Sequence, residues 1–125
     1  MGKGKTILIV DDEVFLIKIL RERLETEGFL VIGAEDGADG LKKALEGHPD
    51  MILLDMAMPV MDGMTMLKKL RQDKWGKNAL VIALSNINNS ELKEELFANG
   101  VCDFLVKVNN TLDGLAGVIR KNLKE

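Results

Sequence analysis

Cysteine is nearly missing from this chain: Cys102 is the only one among 125 residues. A lone thiol excludes an internal disulfide and any multi-cysteine metal site, and it is compatible with a reducing, cytoplasmic setting. An excess of positive charge is missing too. The formal net charge is -3, the sequence pI is near 5.3, and Lys and Arg are scattered among acids. Direct nucleic-acid binding is therefore not expected. No apolar run approaches the ~20 residues that a membrane span needs. Met1 to Lys5 lack the apolar segment of a signal peptide and read as a flexible tail. Repeats, low-complexity tracts and Pro/Gly/Ser linkers are also absent. That leaves one domain, residues 6–125, large enough to bury a core unaided and expected to be a monomer.

What the chain does have is a series of apolar runs that stop at polar residues. TILIV (Thr6 to Val10) halts at Asp11, Asp12 and Glu13. MILL (Met51 to Leu54) halts at Asp55, and ALVIAL (Ala79 to Leu84) halts at Ser85 and Asn86. A fifth run, Asp103 to Val106, ends at Lys107, while Phe29 to Ala34 makes the second in chain order. Each is short and apolar nearly throughout, as expected of strands buried on both faces. Between them lie helical patterns. Leu16, Leu20 and Leu24 mark the first, Leu41, Ala44 and Leu45 the second, and Met66, Leu67 and Leu70 the third. The fourth, opened by Ser90, points Leu92, Leu96 and Phe97 inward, and the last is capped by Thr111 and buries Leu112, Leu115, Ile119 and Leu123. Gly114 and Gly117 each cost that last helix ~1 kcal/mol relative to alanine. The fold class is α/β: a doubly wound, five-stranded parallel sheet with five helices, flavodoxin-like.

In that architecture all strands end on one edge, where ligands bind, so Asp11, Asp12, Asp55, Ser85 and Lys107 can converge. Three crowded carboxylates repel one another, and a hard divalent cation relieves them. Mg2+ suits an oxygen site of this kind, and a backbone carbonyl near Ala57 can add a ligand. A carboxylate beside Mg2+ can attack phosphorus to form an acyl phosphate, with an ammonium and a hydroxyl stabilising the charge in transfer. Lys107 and Ser85 have those two chemistries. No general base is required of His48, which lies in a break beside Pro49. Glu13 reads as a first-turn helix acid, and Met56, Met58, Met61, Met64 and Met66 as packing residues or a partner surface. Cys102 and Trp75 read as packing residues and His48 as a solvated loop residue.

The blocks TILIVDDE, MILLDMAMPVMDG, LVIALSN and DFLVK resemble, in order and spacing, those of the receiver domain of two-component response regulators. The likeness covers nearly the whole chain. It implies strand order 2-1-3-4-5, Mg2+ on Asp11 and Asp12, and phosphorylation of Asp55 by a sensor histidine kinase or phosphotransfer protein. It further implies phosphate contact by Lys107, switching by Ser85, and a rotating aromatic at Phe104. A downstream protein would read the surface of helix four, strand five and helix five. Two positions depart from the family pattern. Val108 follows Lys107 where the family has a cis-bonded proline, and a cis bond before valine would cost roughly 2.5 to 4 kcal/mol, so a trans bond is expected. Asn109, Asn110 and Thr111 can then lead into the last helix through side-chain hydrogen bonds. Asn86 stands where a small residue is usual and is expected to slow small phosphodonors.

Three functions remain open on the sequence: a phosphorylation switch, an aspartate-dependent phosphatase, and a scaffold whose acidic edge does no chemistry. A phosphatase would turn over an added phosphate ester, but no insertion is present to shape a substrate pocket. A switch would be labelled once per chain, and a scaffold would bind neither Mg2+ nor a beryllofluoride mimic.

Overall fold

Alternation along each buried strand sends side chains to opposite faces, and that sorts the core of the computed structural model, which describes residues 4–123, into two halves. The strands are β1 (Thr6–Val10), β2 (Leu30–Ala34), β3 (Met51–Asp55), β4 (Val81–Ser85) and β5 (Asp103–Val106). They pair in parallel in the order β2-β1-β3-β4-β5. The helices are α1 (Val14–Thr26), α2 (Gly37–Gly47), α3 (Gly63–Arg71), α4 (Ser90–Ala98) and α5 (Leu112–Leu123). Ile7, Ile9, Leu53 and Leu84 meet α1 and α5 through Leu20, Leu24, Leu115 and Ile119. Leu8, Val10, Ile52 and Leu54 belong to the other half, with Ala44 of α2, Met66, Leu67 and Leu70 of α3 and Leu96 of α4. The fold class and the strand order agree with expectation. No helix among the described residues is long and apolar enough to cross a membrane.

Several local details differ from the sequence reading. On α1 the buried positions are Ile17, Leu20 and Leu24, with Leu16 only half-buried and Phe15 exposed. Leu20 and Leu24 thus hold their expected places, and Ile17 replaces Leu16 in the strip that faces the sheet. Ser90 opens α4 as expected, while the cap before it is Asn89, its side chain accepting the Leu92 N–H at 3.1 Å. Phe97 is exposed, because Leu96 alone of α4 is fully covered. That helix rests on few apolar anchors, plus a surface ion pair between Lys68 and Glu95 and a clamp at its far end. The clamp is Arg71, whose guanidinium donates to the carbonyls of Asn99, Gly100, Gly76 and Ala79 at 2.7 to 3.0 Å. His48 ends α2 in the left-handed conformation (φ 46°) and stays exposed, as expected, but its ring stacks on Trp75 at 4.3 Å. Of the expected tail, residues 1–3 lie outside the described residues, whereas the Lys5 carbonyl accepts the Leu30 N–H at 2.9 Å.

Both outer strands have side chains on their backbone groups, which blunts pairing with another sheet. Lys43 donates to the Gly33 carbonyl at 2.6 Å, and Asn110 to the Val106 carbonyl at 2.9 Å. The latter bond belongs to the junction where the family proline is replaced. No cis peptide bond occurs among the described residues. A 3-10 turn over Lys107–Asn109 carries the chain on, and Thr111 caps α5 by accepting the Gly114 N–H at 3.0 Å. Asn110 and Thr111 thus make the expected side-chain bonds.

Candidate functional site

The parallel ladder brings the ends of β1, β3, β4 and β5 to one edge, with Val10 opposite Leu54, Asp55 opposite Leu84 and Ser85 opposite Val106. Asp55 ends β3 and is 1% exposed. Asp11 follows β1, is fully buried, and is held there by its own N–H on the Ala34 carbonyl at 2.9 Å. Its Oδ1 accepts the Glu13 N–H at 2.8 Å, which turns Oδ2 toward Lys107. Asp12 is exposed on the rim. One carboxylate oxygen from each of Asp11, Asp12 and Asp55 lies within 4.8 Å of the others.

Lys107, at the end of β5, reaches into this group. Its Nζ is 2.8 Å from Asp11 Oδ2, 3.1 Å from Glu13 Oε1 and 3.3 Å from Asp55 Oδ1. Only the approach to Glu13 has hydrogen-bond geometry. Asp11 Oδ2 and Asp55 Oδ1 are buried ion-pair partners of the ammonium, but the approach to each is too oblique to be an aligned hydrogen bond. Unbonded buried oxygens are costly. Burial, then the charge of Asp11, push the Asp55 carboxyl up to about 6, with Lys107 only partly offsetting them. Burial raises Asp11 as well, against the pull of Lys107. Burial disfavours the Lys107 ammonium, but Asp11 and Glu13 outweigh it and hold its pKa above that of an ordinary lysine.

The loop after β3 is built to keep the mouth of the site fixed. Gly63 N–H donates to the Met56 carbonyl at 3.1 Å, and a Cβ on Gly63 would collide with the Asp55 carbonyl oxygen. Val60 sits at φ 69°, and Met61 N–H closes back on the Pro59 carbonyl at 2.7 Å. This is a γ-turn of the strained hand, rare for a β-branched residue. Ala57 lies exposed in the same loop and lines a cleft of about 420 Å3 together with Met56, Met64, Ser85 and Asn86. Ser85 is buried at the end of β4 and accepts the Ile87 N–H on its Oγ at 3.2 Å. Phe104 is buried in the core half that holds Ala83, Leu96 and Val101.

The donor set suits a hard cation: three carboxylates, two of them buried and each with an oxygen lacking an aligned donor. Comparison with known proteins supplies the context. Residues 7–118 match the family model described as the response regulator receiver domain. The chain belongs to that family. This receiver domain is 33% identical to the chemotaxis protein CheY of Treponema pallidum over 95% of the chain and 85% of that protein. It is 47% identical over 71 residues to the alkaline phosphatase synthesis regulator PhoP of Bacillus subtilis, covering only 30% of that longer protein. Its fold superposes with a TM-score of 0.86 on the CheX-CheY-BeF3-Mg complex of Borrelia burgdorferi, at 32% identity, covering 96% of this chain and 90% of that one. Receiver domains of two-component systems are signalling regulators, not metabolic enzymes, and they bind Mg2+ at an acidic site.

Sequence reasoning missed one member of this site. Glu13 is not in the first turn of α1 but one residue before it, at the cap position, where its side chain makes no capping bond and reaches Lys107 instead. Its partner lies 94 residues away, and no local pattern signals a pairing at that distance.

Proposed function

We propose that this receiver domain, residues 6–125, takes a phosphoryl group onto Asp55 from the phosphohistidine of a sensor kinase or phosphotransfer protein, in a reaction that requires Mg2+. The observation that carries the reading is the buried Asp55 carboxylate among Asp11, Asp12 and Lys107, with no aligned donor on its Oδ1. Such a carboxylate is poorly solvated and is a competent nucleophile. Asp11, Asp12 and Asp55 would hold the ion, with the Ala57 carbonyl as a further ligand. When bound, Mg2+ neutralises the crowded carboxylates and the oxygens of the transferring group.

The remaining steps belong to the chain. An Asp55 oxygen attacks phosphorus, an O–P bond forms as the N–P bond breaks, and the imidazole, already protonated on its other ring nitrogen, leaves neutral with the electron pair. Lys107 Nζ, already 3.3 Å from Asp55 Oδ1, pairs with the phosphoryl oxygens. Ser85 gives up the Ile87 N–H and turns its hydroxyl to the phosphoryl group, pulling on the 86–89 loop and the lightly anchored α4. Phe104 couples that movement to the surface of α4, β5 and α5, which a downstream protein reads. Exposed Val14, Phe15 and Val108 flank the Lys107–Glu13 bridge and give a protein phosphodonor an apolar footing. The domain works as a cytoplasmic monomer without direct nucleic-acid contact, and it catalyses nothing beyond its own phosphorylation and dephosphorylation.

Intact mass after incubation with Mg2+ and acetyl phosphate tests the chemistry. One phosphoryl mass on the natural chain and none on Asp55→Asn is expected. Equal labelling of both, or turnover of a phosphate ester without labelling, refutes it.

A further inference from the structure

The Lys107 ammonium stands where a metal ligand set would have to open. Asp11 Oδ1 already accepts the Glu13 N–H, which makes Oδ2 the freer oxygen for an ion, and the ammonium lies 2.8 Å from it. The same ammonium lies 3.3 Å from Asp55 Oδ1. A dication cannot share these oxygens with an ammonium at that distance without strong repulsion. Lys107 must therefore retreat from Asp11 as the ion enters. It is only 11% exposed, so it cannot simply move into water, and an unpaired ammonium in that position is costly. One group is placed to receive it. Among the described residues, Glu13 Oε1 makes the one aligned hydrogen bond that the ammonium has with a carboxylate, and at 54% exposure Glu13 is free to follow the ammonium outward.

We infer that Glu13 is a positioning residue that holds Lys107 when Asp11 releases it, and so sets how readily the acidic site accepts Mg2+. The inference rests on the metal-binding reading above and goes beyond it, since Glu13 itself ligates nothing. With Glu13 in place the ammonium exchanges one carboxylate for another. Without it, Mg2+ has to compete with an ammonium whose only partners are Asp11 and Asp55. Glu13 thereby also keeps Lys107 within reach of Asp55 once the ion is bound.

Isothermal titration of Mg2+ into the natural chain, Glu13→Gln, Glu13→Asp and Lys107→Met, with Glu13→Gln/Lys107→Met, separates this from the alternatives. Glu13→Gln should weaken Mg2+ binding about five- to tenfold, a loss of roughly 1 to 1.4 kcal/mol. Glu13→Asp keeps the charge but is one methylene too short for Lys107, and it should weaken binding nearly as much. In the Lys107→Met background the Glu13→Gln change should alter affinity less than twofold. An unchanged affinity in Glu13→Asp, or equal weakening with and without Lys107, would show that Glu13 acts only as a distant charge and overturns the inference. Unaltered binding in Glu13→Gln overturns it too. If the natural chain takes up no Mg2+ at all, the metal-binding reading fails together with it. Urea melts of each variant establish that it is folded, and the comparison of Glu13→Asp with Glu13→Gln stands if Lys107→Met does not fold.

Discussion

Neutralising Asp55 should stabilise the metal-free protein, which is the reverse of what most changes at a buried, partnered residue do. The Asp55 carboxyl is raised from 3.8 to about 6 by burial and by Asp11. A folded-state pKa above the unfolded one means that the folded chain holds the proton more tightly. The contribution of Asp55 is then full below about pH 4 and is lost as pH rises through about 6. At about 1.4 kcal/mol per unit, the ionised carboxylate costs the fold about 3 kcal/mol at pH 8. Asp55→Asn removes that cost and keeps the shape. It also deprives Lys107 of one neighbour at 3.3 Å and sets an amide beside an ammonium, which returns part of the gain. A net stabilisation of about 1 to 2 kcal/mol remains, or about 0.5 to 1 M in the urea midpoint for a slope near 2 kcal/mol/M. The assay is urea unfolding at pH 8 in EDTA, repeated at pH 4.5 and in excess Mg2+. The gap should shrink at pH 4.5, where the natural chain is mostly protonated at Asp55. In Mg2+ the natural chain should gain more than the variant, because an ion that binds the folded state alone stabilises it in proportion to its affinity. A variant that melts earlier than the natural chain at pH 8 in EDTA, or a gap independent of pH, would refute the reasoning.

Other consequences can be checked on their own. Asn86 is exposed on the cleft beside Ser85 and Ala57, so Asn86→Ala should speed labelling by acetyl phosphate a few-fold, followed by intact mass; an unchanged rate counts against a gate at that position. Gly117 in α5 has room for a methyl group, since a Cβ would meet only Arg120 at 3.7 Å. Gly117→Ala should therefore raise the unfolding free energy by up to ~1 kcal/mol, and a destabilised variant would mean that the glycine is needed for packing. Glu27 is nine-tenths buried and paired with Arg23 at 2.9 Å and Arg120 at 2.5 Å, and although burial pushes its carboxyl up, the two arginines prevail and hold it below its ordinary value. Its stabilising contribution is present above pH 4.5 and is lost as pH falls below that, so Glu27→Gln should flatten the acid limb of a stability-against-pH curve. Equal acid limbs for the two chains would remove Glu27 from that account.

The sequence by itself determined the fold class and which strand-ending residues share the functional edge. Short runs such as Met51 to Leu54 are apolar at every position, and only burial on both faces of a parallel sheet makes use of that. Once the strands are parallel, the residues that end them share one edge, and Asp11, Asp55, Ser85 and Lys107 were legible for that reason alone. Tertiary structure decided what no spacing could carry. Residues 16 and 17 both fall in helical register with Leu20 and Leu24, and only the packing against the sheet decided that Ile17 took the place expected of Leu16. Phe97 stayed in solvent because α4 has only Leu96 fully against the core. The aligned partner of Lys107 came from 94 residues away, where Asp11 had turned one oxygen to the Glu13 N–H and left the Glu13 side chain free. Periodicity reports which residues avoid water along one element. Charge pairing depends on distances between elements, and those exist only after the chain has folded.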